Sequence, residues 1–264
     1  MKTILVPLNP LEKGHTILQY AFDFATYFSA KIVILKTFEI STVTGPAPAI
    51  DKALKENCLK ELKEVLSEIT SKNNSFEIRL VKGNLVENCT EYLQENDVDL
   101  IISRPKRSEK SPHLFIGNTT GKMIKTIDCP LLLIPKSFKF QPYQKILMAI
   151  KSGIIKKENV FTSLKDIITT FNAQLNLLQV KTPKLKESDL IINEELLQLK
   201  SSLVYTENET IYHGVLEYLH DVKPDLICVI RRKRGFFSKL WEQNTVKKTD
   251  FESKVPLLIL KGAL

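Results

Sequence analysis

No apolar stretch in this chain approaches the roughly 18 residues that a membrane-spanning helix requires. The N-terminus runs directly into a strand-like pattern, with no cleavable apolar region ahead of it. A cytoplasmic protein with no membrane partner is therefore expected. Cysteine is scarce: Cys58, Cys89, Cys129 and Cys228 are the only ones, and none forms a CxxC pair. They read as small buried hydrophobes in a reducing compartment. The histidines, His15, His113, His213 and His220, show no HExxH or paired metal spacing, and no GxSxG nucleophile elbow occurs. Neither a metal site nor a catalytic constellation is expected, and the chain is read as a non-enzyme. Long blocks of one charge are also missing. The 38 Lys+Arg against 30 Asp+Glu leave a net charge of +8, but both signs are interspersed, as on a solvated lysine-rich surface.

What is present is organised around Asp99 to Pro135, which reads as strand, polar loop, helix and strand in unbroken succession. Leu100 to Ile102 form the apolar run of a parallel strand buried on both faces. A basic, glycine-free loop runs from Arg104 to Pro112. Gly117, Asn118 and Thr119 stand where a helix begins, with Asn118 or Thr119 as N-cap and Met123 and Ile127 on its inner face. A loop that leaves the carboxyl end of a parallel strand and enters a helix N-terminus suits an anion, because free N–H groups and the positive end of the helix dipole converge there. Gly117 to Lys122, GNTTGK, is not a P-loop: only three residues separate its glycines, where four are needed, and Met123 replaces the Ser or Thr. His113, in the same loop, would make any anion contact pH-sensitive.

Taken in order, Thr3 to Leu8 is a first strand, Leu18, Ala21, Phe22 and Ala25 follow helical spacing, and Lys31 to Thr37 is a second strand. Phe38 to Ile50, with Gly45, Pro46 and Pro48, reads as a surface loop. Asp51 is expected to cap an amphipathic helix that turns Leu54, Cys58, Leu62, Val65, Leu66 and Ile69 to one side. Phe76 to Val81 makes a third strand, and Gly83 opens the loop to a helix holding Val86, Cys89 and Leu93. Strands alternating with helices over this length imply a doubly wound parallel sheet.

After a short polar and aromatic linker from Lys136 to Gln144, the pattern restarts, with Lys145 to Ile150 repeating the first strand. Glu91 to Ile102 (EYLQENDVDLII) repeats in Glu217 to Cys228 (EYLHDVKPDLIC), and Pro130 answers to Pro256 at the same offset. The second half is shorter, and the loss is expected mainly at the Gly45 to Pro48 loop.

Several of these residues resemble the universal stress protein family. Its members open with Ile-Leu-Val-Pro, one residue, then an aspartate that contacts adenine; here ILVPLN places Asn9 at the aspartate. The ending CPLLLIP is similar to the family's Cys-Pro-Val-Leu-Val-Val. The nucleotide-binding members also carry a glycine, two residues, a glycine, nine residues and Gly-Ser or Gly-Thr. Anchoring on Gly117-Asn118 sets Arg104 and Arg107 at the first two glycines.

The resemblance implies two tandem α/β, Rossmann-like domains, residues 1–136 and 143–264, each a doubly wound parallel sheet of order 3-2-1-4-5. It implies an intramolecular pair of the two domains, with the strands Leu131 to Ile134 and Leu257 to Leu260 apposed, and an optional homodimer. It implies base contacts around Lys36 and Thr37, and a degenerate adenine-nucleotide site (ATP or AMP) at Asn9, Thr37, Gly83, Arg104, Arg107, Gly117, Asn118 and Thr119. In that site arginine guanidiniums replace missing glycine amides. In the second half Lys151, Glu209 and Gln243 stand at the places of Asn9, Gly83 and Gly117, so no second site is expected and that half supports the first. The basic and aromatic run Arg231 to Trp241 is read as packing under a loop, with nucleic acid not expected as a partner. The implied function is a non-catalytic stress-response or regulatory protein. The alternatives are a nucleotide-free adaptor that binds an acidic protein partner through basic loops, and slow ATP hydrolysis.

Overall fold

The structure is a computed structural model of the 264-residue chain, and it describes residues 1–9, 14–38, 47–70, 73–105, 118–135, 138–150, 152–155, 157–183, 186–209, 211–231 and 255–262. Of the sites and loops singled out above, Arg107, His113, Gly117, Lys151, Trp241 and Gln243 lie outside the described residues, as do 39–46 and 232–250. The chain forms two compact units: residues 1–104 with 118–129, and residues 105–117 with 130–264.

The first unit holds β1 (Thr3–Leu8), α1 (His15–Thr26), β2 (Lys31–Phe38), α2 (Ala47–Glu68), β3 (Phe76–Lys82), α3 (Leu85–Glu95), β4 (Leu100–Ser103) and α4 (Asn118–Thr126). Its strands run parallel in the order β3-β2-β1-β4. β1, β2 and β4 are rich in Ile, Leu and Val and are buried on both faces, whereas β3, at the edge, is half-buried. Ile17, Leu18, Ala21, Phe22 and Ala25 of α1 and Met123 of α4 are buried, with Ile127 just beyond α4. Helix α2 begins at Ala47, so Asp51 lies within it and does not cap it; Pro48 is tolerated because the first turn has no donor to lose. Asp51 instead receives Lys82 Nζ at 2.8 Å. The expected apolar positions Cys58, Leu62, Leu66 and Ile69 are buried.

The second unit contains β5 (Leu131–Leu133), β6 (Lys145–Ile150), α5 (Thr162–Phe171), β7 (Gln174–Lys181), a 3-10 turn (Glu187–Leu190), α6 (Glu194–Leu199), β8 (Ser202–Glu207), α7 (Ile211–Val222), β9 (Leu226–Arg231) and β10 (Leu257–Lys261). Its strands lie in the order β8-β7-β6-β9-β10-β5. The five from β6 to β10 are parallel and follow the 3-2-1-4-5 pattern. β5 pairs antiparallel with β10: Leu131 faces Ile259, Leu132 faces Leu258 and Leu133 faces Leu257. At the repeat offset Leu132 and Leu258 are equivalent, so the strand pair is self-complementary. Tyr143, read as linker, is fully buried and packs edge-on against Phe171 at 5.7 Å, so the aromatic end of that segment belongs to the core.

Two sequence alignments between the halves need correction. The second half is not shortened in the Gly45 to Pro48 loop: the 22-residue α2 is replaced by the six-residue α6. The register of β7 with β8 also sets Asn208, not Glu209, at the place of Gly83. Asn208 N donates to Lys181 O at 3.0 Å, as Gly83 N donates to Phe38 O at 3.1 Å.

All four cysteines are buried and reduced. Burial pushes the Cys89 thiol up to about 12 and raises those of Cys228 and Cys58; at Cys58 the nearby Lys36 ammonium pulls the other way. Thiolate, the reactive form, is thereby disfavoured. The native protein at pH 8 is expected to react slowly with a disulfide reagent, Cys58 first, and to yield four thiols on denaturation. Fast stoichiometric release from the native state would contradict this packing.

Candidate functional site

Strand order in the first unit reverses at β1, with β2 and β3 on one side and β4 on the other. The carboxyl ends of β1 and β4 therefore flank a topological switch point, where ligands of open α/β sheets bind. Each end leads into residues singled out by sequence.

Asn9 directly follows β1 and is half-buried; its carbonyl accepts a hydrogen bond from Lys36 Nζ at 2.6 Å. Lys36 pairs with Leu8 in the sheet and is only 3% exposed. A buried ammonium is costly unless it is hydrogen-bonded, so this contact both satisfies Lys36 and fixes the exit of β1. Thr37 is fully buried, and its hydroxyl donates to the Leu8 carbonyl at 3.4 Å. Gly83 follows β3 with φ of 101°, a left-handed conformation that glycine adopts without strain. Asn84 then caps α3, its side chain accepting from Val86 N at 2.9 Å and Glu87 N at 3.3 Å.

Arg104 directly follows β4, and its Nη1 donates to Thr16 Oγ1 at 2.6 Å. Thr16 stands in the first turn of α1, so a guanidinium from the end of β4 reaches the amino end of the first helix. Asn118, exposed, and Thr119, half-buried, open α4. That helix is tied to α3 by Lys122 Nζ and Glu87 Oε1 at 3.3 Å. The strand ends thus bring Asn9, Lys36 and Thr37 together, Gly83 ends the neighbouring strand, and Arg104 is joined to Thr16. Two cations and two helix amino termini at the ends of parallel strands suit a ligand with an anionic tail.

One participant, Thr16, is not among the sequence expectations; the other, Lys36, is expected there as a base contact and not as the donor that holds the Asn9 carbonyl. Thr16 carries no signal of its own. Lys36 carries one: it is a lysine inside a buried strand, directly after the apolar run Ile32 to Leu35, where a charge needs a reason.

The turn into α1 depends on Gly14, whose φ is 84° and whose missing Cβ would stand 2.9 Å from Leu8 Cδ1. Gly14→Val is expected to cost about 1–3 kcal/mol, since it adds left-handed strain to overpacking. Urea denaturation would read the loss, and unchanged stability would show that the turn relaxes freely.

Among the described residues no three His, Cys, Asp or Glu side chains converge as a metal site, and no helix is long and apolar enough to cross a membrane.

This fold and this switch point define a doubly wound α/β protein. The universal stress protein family model matches residues 1–135, half of the chain, and the chain belongs to that family. Solved structures extend the likeness along the whole chain. A universal stress protein from Archaeoglobus fulgidus DSM 4304 is similar with a TM-score of 0.73 at 17% identity, covering 99% of this chain and 98% of that one. A Pseudomonas aeruginosa UCBPP-PA14 structure assigned to the same family gives 0.60 at 15%, covering 99% and 93%. The cytoplasmic domain of a prokaryotic cation chloride cotransporter gives 0.52 at 11%, covering 98% and 94%. At these identities the likeness shows the fold alone. No curated protein matches the sequence.

Proposed function

We propose that the chain is a non-catalytic, adenine-nucleotide-responsive regulatory protein with two domains, residues 1–136 and 143–264, and one degenerate site in the first. The site comprises Asn9, Thr37, Gly83, Arg104, Arg107, Gly117, Asn118 and Thr119, with ATP or AMP as ligand. The observation that carries this reading is Arg104 at the switch point, its guanidinium joined to the first turn of α1 at 2.6 Å. A guanidinium binds phosphate oxygens with two parallel donors and compensates for an absent glycine amide.

If the two loop arginines are anion ligands, Arg107→Ala is expected to weaken ATP binding by calorimetry. Rising salt is expected to weaken it further, as it does any solvent-accessible ionic contact. Wild-type protein that binds no ATP at millimolar concentration would retire the nucleotide reading.

A nucleotide-free adaptor acting on an acidic protein partner is the second reading. It is favoured by one observation: Lys36 Nζ and the Thr37 hydroxyl are already engaged by the protein's own carbonyls, those of Asn9 and Leu8.

A further inference from the structure

The shortened crossover of the second unit changes what lies over its strand ends. After β7 the chain passes Lys186, makes the 3-10 turn at Glu187–Leu190 and reaches Asn193, which caps α6 through its side chain at 3.2 Å from Leu196 N. On the way it crosses the residues that follow β6. Gly153 N donates to Asp189 O at 3.1 Å, and Asn193 N donates to Gly153 O at 3.0 Å. Gln179 Nε2 donates to the same Asp189 carbonyl at 2.8 Å. Gln179 is fully buried, and strand register puts it at the place of Lys36 in the first unit, since Gln179 faces Ile150 as Lys36 faces Leu8. The approach is closer than any side chain permits: a Cβ on Gly153 would lie 2.4 Å from both Ile191 O and Ile192 Cα. Ile192 is the apolar anchor, 8% exposed, while Ile191 points outward at 67%.

Gly153 therefore offers its N–H and C=O side by side, and a carbonyl and an N–H from the crossing segment take both. Such a paired donor and acceptor is what a backbone residue presents to the edge of a purine, so the segment makes the hydrogen bonds that a planar ligand would make there. We propose that residues 186–193 are a resident strap that occupies the strand-end crevice of the second unit and excludes a base-sized ligand from it. This rests on the adenine reading of the first unit only for the choice of ligand class.

The strap's docking is tested first in the wild-type chain, by hydrogen exchange. The amides of Gly153 and Asn193 are expected to be protected at least about tenfold relative to solvent-exposed loop amides. Exchange at ordinary loop rates would overturn the proposal. Exclusion is tested with Ile192→Glu, which charges the strap's buried anchor, or with Asn193→Pro, which removes a donor, should the first variant not fold. Once exchange shows the strap released, adenosine, which needs no phosphate loop, is expected to bind one equivalent more than it does to wild type. A released strap with no additional equivalent would overturn the proposal. The increment is separate from the wild-type equivalent, so loss of the first-unit reading and loss of this one give different results.

Discussion

Asp225→Ala is expected to destabilise the second unit by about 2 kcal/mol, because hydrogen bonds to a carboxylate contribute about 1.5–3 kcal/mol and two backbone donors share this one. Asp225 precedes β9, and its carboxylate accepts from Gln144 N at 2.7 Å and from Lys145 N at 3.1 Å, at the start of β6. The first unit repeats the device. Asp99 precedes β4 and accepts from Lys2 N at 2.6 Å and Thr3 N at 2.9 Å, at the start of β1. In both, the aspartate's own N–H donates back to the first strand, Asp99 to Thr3 O and Asp225 to Lys145 O. Each aspartate thus pins the entry of the central strand to its neighbour across the point where strand order reverses. The two networks share no member, so the double variant is expected to lose roughly the sum.

The amide tells charge from hydrogen bonding. Burial pushes the Asp225 carboxyl up from its ordinary range, against the opposing pull of the Gln144 and Lys145 amides. An acid whose folded pKa is raised binds more protons folded than unfolded between the two values, so its contribution is fullest below the unfolded pKa and is lost as pH rises through the folded one. Asp225→Asn keeps an acceptor oxygen and does not titrate. It is expected to cost less than the alanine variant at pH 7, with the wild-type advantage over it growing as pH falls towards the ordinary carboxylate range. Equal losses for asparagine and alanine at pH 7 would show that the negative charge, not the acceptor, holds the strands.

Those aspartates also mark how far the sequence could be read. They are part of the repeated Asp-Leu-Ile block, and the repeat announced β4 and β9, whereas the pairing of β5 with β10 followed from the family resemblance and from the need of short apolar edge strands for partners. Burial on both faces made β1 and β6 legible as apolar runs, and β2 legible from Ile32 to Leu35. The start of helix α2 is not legible, because Gly45, Pro46 and Pro48 signal a loop whereas Pro48 fits a first helical turn. The strap was not legible at all. Gly153 looks like any loop glycine, and only the fold brings Ile191 and Ile192 within 2.4 Å of where its Cβ would be. Arg104 and Asn9 were found through family spacing, but the partners that position them, Thr16 and Lys36, come from other elements.

One adenine nucleotide is expected to bind per chain, and Gly117→Gln is expected to abolish detectable binding at millimolar ATP while leaving the thermal transition in place. Gly117 directly precedes Asn118, the first residue of α4, where a phosphate must approach free helix N–H groups closely and a side chain stands in the way. In the second unit the corresponding places carry Lys151, Asn208 and Gln243, and the crossing of Gly153 by Asp189 and Asn193 adds a physical obstruction. Lys151→Asp is therefore the control: restoring an acidic residue after β6 moves neither the strap nor the missing loop glycines, and is expected to create no second site. Calorimetry that gives two equivalent sites per wild-type chain, or undiminished affinity in Gly117→Gln, would place the ligand elsewhere than at the amino end of α4.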